Sequence, residues 1–219
     1  MDTDLVIVDY GAGNLRSVAK ALERLGFPAV VTQDPGEVLR ARGVILPGVG
    51  SSGAAMAALQ ERGLVEPLRE VVAQGTPFFG VCLGLQLLLE SSEEDPRPCL
   101  GIIPGQVKRL PPPVKVPHMG WNQVTLLGEH PLFQGVPLGS YFYFVHSYYA
   151  APTDASLLLG ITEYGISFCS ALARGNLVAT QFHPEKSGPV GLRLYENFVR
   201  LMVLEGVRPS YTKASEGRP

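Results

Sequence analysis

The sequence predicts an α/β fold: a mostly parallel central sheet with helices on both faces and additional antiparallel strands. Two observations carry this. In the first half, short β-branched apolar runs alternate with stretches of helical spacing, as in crossover units whose parallel sheet is buried on both faces. In the second half, aromatic and β-branched runs follow one another without helices between them, as antiparallel strands do.

Residues 5–9 (LVIVD) are a short continuous apolar run and read as a buried strand. The turn GAGN at 11–14 follows. Asn14 is placed to cap a helix over 15–25, where Leu15, Val18, Leu22 and Leu25 recur at helical spacing. Gly26 stands where that helix should end. Strands are expected at 29–32 and 44–46, and helices near 53–60 and 64–74. A fourth strand at 76–81 runs into a helix over 83–90. From residue 96 to about 139 the chain is rich in Pro and Gly, with short strands at 106–110 and 122–126. The runs 141–149, 155–161, 166–173 and 177–182 read as antiparallel strands beside the parallel sheet. Residues 190–204 return to an amphipathic helix, and the polar stretch after 205 should fray. Without repeats, linkers or low-complexity blocks, one domain is expected over 1–204, with a polar tail at 205–219.

Composition narrows the function. A chain of 219 residues can bury a sizeable core, and 46% hydrophobic content excludes bulk disorder. With 18 basic against 20 acidic residues there is no basic excess for nucleic acid and no polybasic run for a membrane surface. Met1-Asp2-Thr3-Asp4 lacks the positive charge of a signal peptide, and apolar runs such as 5–8 and 87–89 are too short to span a bilayer. Three cysteines, Cys82, Cys99 and Cys169, few and odd in number, argue against a disulfide framework, so a reducing cytoplasm is expected. They are too scattered for a metal site, and no metal or cofactor is expected.

Three segments carry chemistry. Gly80-Val81-Cys82-Leu83-Gly84 ends a predicted strand and opens a predicted helix, which is a nucleophile elbow with Cys in the nucleophile position. Such a turn projects the sulfur from the sheet. The helix N-terminus favours thiolate, and the Leu83 N–H can donate to an oxyanion. A nucleophilic Cys needs a base. His183 ends an apolar strand, and Pro184 should keep His183-Pro184-Glu185 extended, so that residues i and i+2 share a side and Glu185 can orient the imidazole. The loop Pro47-Gly48-Val49-Gly50 exposes backbone N–H groups that could cradle phosphate or complete an oxyanion hole; it lacks the Gly-Lys-Ser/Thr of a P-loop. Trp121 sits in a loop-like stretch, and alternate members of the aromatic run 141–144 should face outward as a partner surface.

Together these segments resemble the class I, triad-type glutamine amidotransferases, a flavodoxin-like fold. The motifs PGVG at 47–50, GVCLGLQLL at 80–88 and FHPEKS at 182–187 stand in the family's order, and the match runs to about residue 203. VDYGAGNLRSV at 8–18, PHMGWN at 117–122 and YFVHSYY at 143–149 narrow the resemblance to members that pair with a separate (β/α)8-barrel cyclase as a heterodimer. The resemblance implies that Cys82 attacks the glutamine amide, His183 transfers protons and Glu185 orients it. The backbone at Val49, Gly50 and Leu83 would hold the oxyanion. Gln86, Glu94 and the backbone of Ser147 and Tyr148 would bind glutamine. Asn14, Trp121, Tyr143 and Lys186 would face the barrel. Other readings are a glutaminase serving pyridoxal phosphate, anthranilate or guanylate synthesis, a standalone thiol hydrolase, or a non-catalytic α/β module.

Overall fold

A computed structural model of the chain describes residues 5–11, 14–207 and 212–213. The core is a twisted parallel sheet. β1 (Leu5–Val8) lies between β2 (Val30–Thr32) and β3 (Gly43–Gly48), β3 pairs with β4 (Phe78–Cys82), and all four run parallel. Alternation along each strand sends side chains to opposite faces. Leu5, Ile7, Ile45, Phe79 and Val81 face α1 (Leu15–Arg24) and the C-terminal helix. Val6, Val8, Val44, Leu46 and Phe78 face α2 (Pro35–Arg40), α3 (Ser52–Glu61) and α4 (Val65–Ala73). α2 was not foreseen, yet its signals are local: Asp34 caps it by accepting from the Glu37 N–H, and Pro35 occupies the first turn, where no backbone donor is needed.

After β4 the expected eight-residue helix is one turn only, α5 (Leu83–Gln86). Leu87, Leu88 and Leu89 are all fully buried, so no side of that segment could face water as an amphipathic helix does. Their carbonyls turn away from a helical ladder and accept from residues 100–103.

The second half extends the sheet. β5 (Ser91–Ser92), β6 (Gly105–Arg109), β11 (Tyr148–Pro152), β12 (Leu158–Glu163) and β13 (Ser167–Arg174) add to it, with β8 (Thr125–Leu126) on β12. The run at 177–182 is corrected by the pairing. β14 (Leu177–Thr180) is antiparallel to β13 but parallel to β4, so it is the fifth parallel strand and the hinge between the two halves. The run 141–149 is also not one strand. β10 (Tyr141–His146) leaves the main sheet to pair with β7 (His118–Gln123), the stretch read as loop-like. Ser147 marks the break before β11.

The chain closes with α6 (Gly188–Asn197), which passes into a π-helical stretch at Phe198–Leu204 rather than running on as one α-helix. Most of the polar tail lies outside the described residues. Thr212–Lys213 pairs with β9 (Gly128–Glu129), so this part of the tail is held rather than frayed.

Candidate active site

The parallel strands leave their carboxyl ends on one edge, the usual position for a ligand in a doubly wound sheet. Four of the five parallel strands deliver a piece of the site there: Tyr10 and Asn14 after β1, Val49 and Gly50 after β3, Cys82 ending β4, and His183 after β14.

Cys82 has φ +54° and ψ −108°, a conformation that non-glycine residues rarely adopt and that marks a tight elbow. The glycines around it are steric requirements. A Cβ on Gly84 would lie 1.8 Å from the Leu46 carbonyl oxygen, and one on Gly80 would lie 3.0 Å from the Gly84 carbonyl oxygen. Only bare backbone lets α5 descend this closely onto β3 and β4. One helical turn supplies little macrodipole, so the charge partner of the sulfur is the imidazole rather than the helix.

His183 is 1% exposed. Its Nδ1 meets Glu185 Oε1 at 2.7 Å, while Nε2 is buried with no other hydrogen-bond partner and is left for the sulfur. The contact expected across an extended His-Pro-Glu does form, but through a turn of 3-10 helix at Pro184–Lys186, with Pro184 in the first position. Burial pushes the imidazole toward neutrality. The negative charge and hydrogen bonding of Cys82, and then of Glu185, override that and raise it to about 10. The imidazole therefore faces the Cys82 sulfur with its proton favoured.

Asn14 does not cap α1. Its φ of +84° is left-handed and its side chain makes no cap bond. Instead its amide donates to Glu185 Oε1, and the Tyr195 hydroxyl donates to Oε2 at 3.3 Å. Glu185 thus accepts from three groups, two of which orient it for the third.

In front of Cys82 opens a cavity of about 410 Å3, lined among others by Val49, Gly50, Leu83, Gln86, Glu94, Ser147, Tyr148 and Lys186. Every residue proposed for the oxyanion or for substrate is therefore beside the sulfur. Glu94 Oε2 accepts from the Ser52 N–H at 2.7 Å, and Gln86 Nε2 donates to the Tyr148 carbonyl at 2.7 Å. Of the four surface residues, Trp121 is 56% exposed and Tyr143 half-buried, directly opposite each other on β7 and β10. Their rings meet edge to face at 6.1 Å, and Lys186 Nζ lies 5.8 Å over the Tyr143 ring. Asn14 is turned inward to Glu185.

Three site residues were missed. Gln181 donates to Cys82 Sγ at 3.7 Å and accepts from Gln86 Nε2 at 3.1 Å; its signal was a lone amide in an apolar strand, two residues before His183. Tyr10 lies fully buried under the glycine loop, where a Cβ on Gly48 would lie 2.3 Å from its hydroxyl. Tyr195 had no local signal, because it reaches Glu185 from the buried face of α6.

The family model for glutamine amidotransferase class-I matches residues 6–202. Imidazole glycerol phosphate synthase subunit HisH of Moorella thermoacetica is 55% identical over 199 residues, covering 90% of this chain and 95% of that protein. The subunit of the same name from Dehalococcoides mccartyi strain CBDB1 is 50% identical, covering 90% and 97%. Among solved structures, a glutamine amidotransferase superposes with TM-score 0.71 at 22% identity, covering 89% of this chain and 97% of that one. PurLQS from Thermotoga maritima superposes with TM-score 0.71 at 16% identity, covering 90% and 97%, which is likeness of fold.

Proposed function

The chain belongs to the class I glutamine amidotransferase family, and on that premise we propose that it is the glutaminase subunit of imidazole glycerol phosphate synthase. The observation that carries the reading is the buried His183 held at 2.7 Å by Glu185, its free nitrogen left for Cys82, which lines a cavity of about 410 Å3.

Cys82 Sγ attacks the side-chain amide carbon of glutamine. The carbonyl oxygen becomes an oxyanion, held by the N–H groups of Leu83 and of Gly50 in the glycine loop. The C–N bond breaks as His183 gives its proton to the departing nitrogen, leaving ammonia and a glutamyl thioester. A water, deprotonated by His183, then opens the thioester to glutamate and restores the thiol. Glu94 faces the substrate ammonium, and the backbone at Ser147 and Tyr148 faces its carboxylate.

The ammonia passes to a (β/α)8-barrel cyclase as partner. There it meets a phosphoribulosyl-formimino aminoimidazole carboxamide ribonucleotide and yields imidazole glycerol phosphate and an aminoimidazole carboxamide ribonucleotide, within histidine biosynthesis. Residues 1–204 act as a single domain in this assembly. A cytoplasmic location agrees with three free cysteines, and among the described residues no helix is long and apolar enough to cross a membrane.

The test is a glutaminase assay of the chain alone, with the cyclase, and with cyclase plus nucleotide. Ammonia released to neutral water becomes ammonium and is lost as a nucleophile, so hydrolysis should wait for the acceptor. The hinge for such control is Gly50, whose φ is +98° and whose side-chain position is open. Gly48 is pinned instead, between Tyr10 and Leu83. The Val49–Gly50 peptide is expected to point its carbonyl into the site when no cyclase ligand is bound and to turn its N–H inward once the partner is loaded. One oxyanion donor is worth about 10²–10³ in rate. Cyclase plus nucleotide should raise kcat by that order and move the glutamine KM far less. Full activity of the isolated chain, unaltered by partner and ligand, would instead mark a standalone hydrolase.

The partner surface gives a second expectation. Trp121 is a large exposed ring set edge to face against Tyr143, whose own face Lys186 covers. Truncating Trp121 to Ala should weaken heterodimerisation by about 2 kcal/mol or more, as at an interface hot spot. Titration calorimetry with unchanged affinity would remove Trp121 from the interface.

A further inference from the structure

His118 and His146 take no part in the proposed chemistry, yet both are buried and lie directly opposite each other on β7 and β10. Their hydrogen bonds determine one another. His146 Nδ1 lies 2.9 Å from the Tyr148 carbonyl oxygen. A carbonyl only accepts, so His146 carries its proton on Nδ1 and its Nε2 is a bare acceptor. His118 Nδ1 lies 3.0 Å from that Nε2, so His118 must be the donor and carries its own proton on Nδ1. His118 Nε2 is then an acceptor, and Asn122 Nδ2 lies 3.3 Å away to serve it.

The far end is fixed independently. Asn122 Oδ1 accepts from the Gln123 N–H at 2.8 Å, and Asn122 Nδ2 donates to the Glu163 carbonyl at 3.0 Å. The amide therefore cannot be reversed, and its second N–H points at His118. Two carbonyls and one backbone N–H, all of fixed polarity, leave a single arrangement of protons. A further proton on either ring would face an N–H, so both imidazoles are neutral. Burial acts in the same direction, holding His118 at about 4 and His146 at about 3.

The destination of the chain gives it a purpose. The Tyr148 carbonyl accepts from His146 Nδ1 and from Gln86 Nε2, so both of its lone pairs are used. This oxygen fixes the backbone and is not free for substrate. It does so immediately after Ser147, where the chain passes from β10 to β11 along the cavity wall.

We propose that Asn122, His118 and His146 form a one-directional hydrogen-bond relay that positions the Ser147–Tyr148 backbone for glutamine, with both imidazoles as neutral Nδ1–H tautomers. The proposal rests on the glutaminase reading of the site. His118 and His146 are positioning residues, acting through Tyr148.

The full chain has only four histidines, so nitrogen-15 NMR of the labelled protein at pH 7 can resolve each ring. The expected result is two neutral Nδ1–H tautomers, the form a free histidine in water populates less. His118→Phe keeps a flat ring against Tyr164 and Phe144, which stack at 4.0 and 4.9 Å, but ends the relay. In that variant the His146 nitrogen signals should move, and the glutamine KM, measured with cyclase and nucleotide, should rise about tenfold, the equivalent of one lost hydrogen bond. The kcat should stay within about threefold. An Nε2–H tautomer or an imidazolium at either ring of the wild-type protein would overturn the relay, whether or not the variant folds. An unchanged KM in a folded His118→Phe would overturn its role in glutamine binding. A wild-type chain with both tautomers in place that hydrolyses no glutamine under any condition would overturn the glutaminase reading and leave the tautomer assignment standing.

Discussion

Replacing Cys82 by alanine should abolish glutamine hydrolysis, a loss on the order of 10⁶ in kcat, as when the nucleophile of a triad is removed. No other cysteine can substitute. Cys99 and Cys169 are buried elsewhere, and burial pushes their thiols up to about 11 and about 12. The fold should survive, although not because the side chain sits in a loose turn. Cys82 is only 6% exposed and belongs to the core cluster on the α1 face of the sheet. What protects the fold is that alanine removes a single sulfur and keeps the Cβ. The positive φ of +54° costs alanine about what it costs cysteine. Assembled with the cyclase and given ammonium salt at alkaline pH, the variant should still support product formation, because ammonia then reaches the acceptor without a thioester. Glutamine-dependent turnover near wild type would remove Cys82 from the nucleophile's role.

The legible parts of this molecule were those whose cause is local. The elbow needs glycines at 80 and 84 because carbonyls stand where their Cβ atoms would be, and those glycines are visible in the chain. β1, β3 and β4 were readable because strands buried on both faces must be continuously apolar. What could not be read depends on partners distant in sequence. Asn14 resembled a helix cap by position, but a left-handed φ turns its amide to Glu185, 171 residues away. The run at 177–182 has the composition of an antiparallel strand; only its pairing with β4 makes it parallel. The break at Ser147 is invisible in YFVHSYY, because it arises where β10 follows β7 out of the sheet and His146 and Gln86 fasten the Tyr148 carbonyl. Leu87–Leu89 resembled the end of a helix until residues 100–103 took their carbonyls.

Within the triad the two acid-base partners should separate by size of effect. His183→Ala should cost nearly as much as losing Cys82, because the members of a triad act as a unit. Gln181, which hydrogen-bonds to the Cys82 sulfur, is an amide and cannot take its place. Glu185→Gln should be much milder, and the hydrogen bonds around it give the reason. The carboxylate accepts from Asn14 and His183 on Oε1 and from Tyr195 on Oε2. A glutamine can keep its oxygen toward Asn14 and His183 and turn its NH2 toward Tyr195. The tyrosine hydroxyl can rotate to accept, so no buried donor need be left facing a donor. The His183 tautomer is then preserved and only the full negative charge is lost. In serine enzymes the corresponding acid-to-amide change costs about 10⁴ because the wrong tautomer results. Here the expected loss is about 10–10²-fold in kcat, since a thiolate also needs less help than an alkoxide. Tyr195→Phe combined with Glu185→Gln removes the acceptor for that NH2, and the pair should lose more than the product of the single losses. Steady-state glutaminase kinetics on the four proteins, with cyclase and nucleotide present, decides the matter. If Glu185→Gln proved more damaging than His183→Ala, Glu185 would be the proton carrier and His183 the group that orients it.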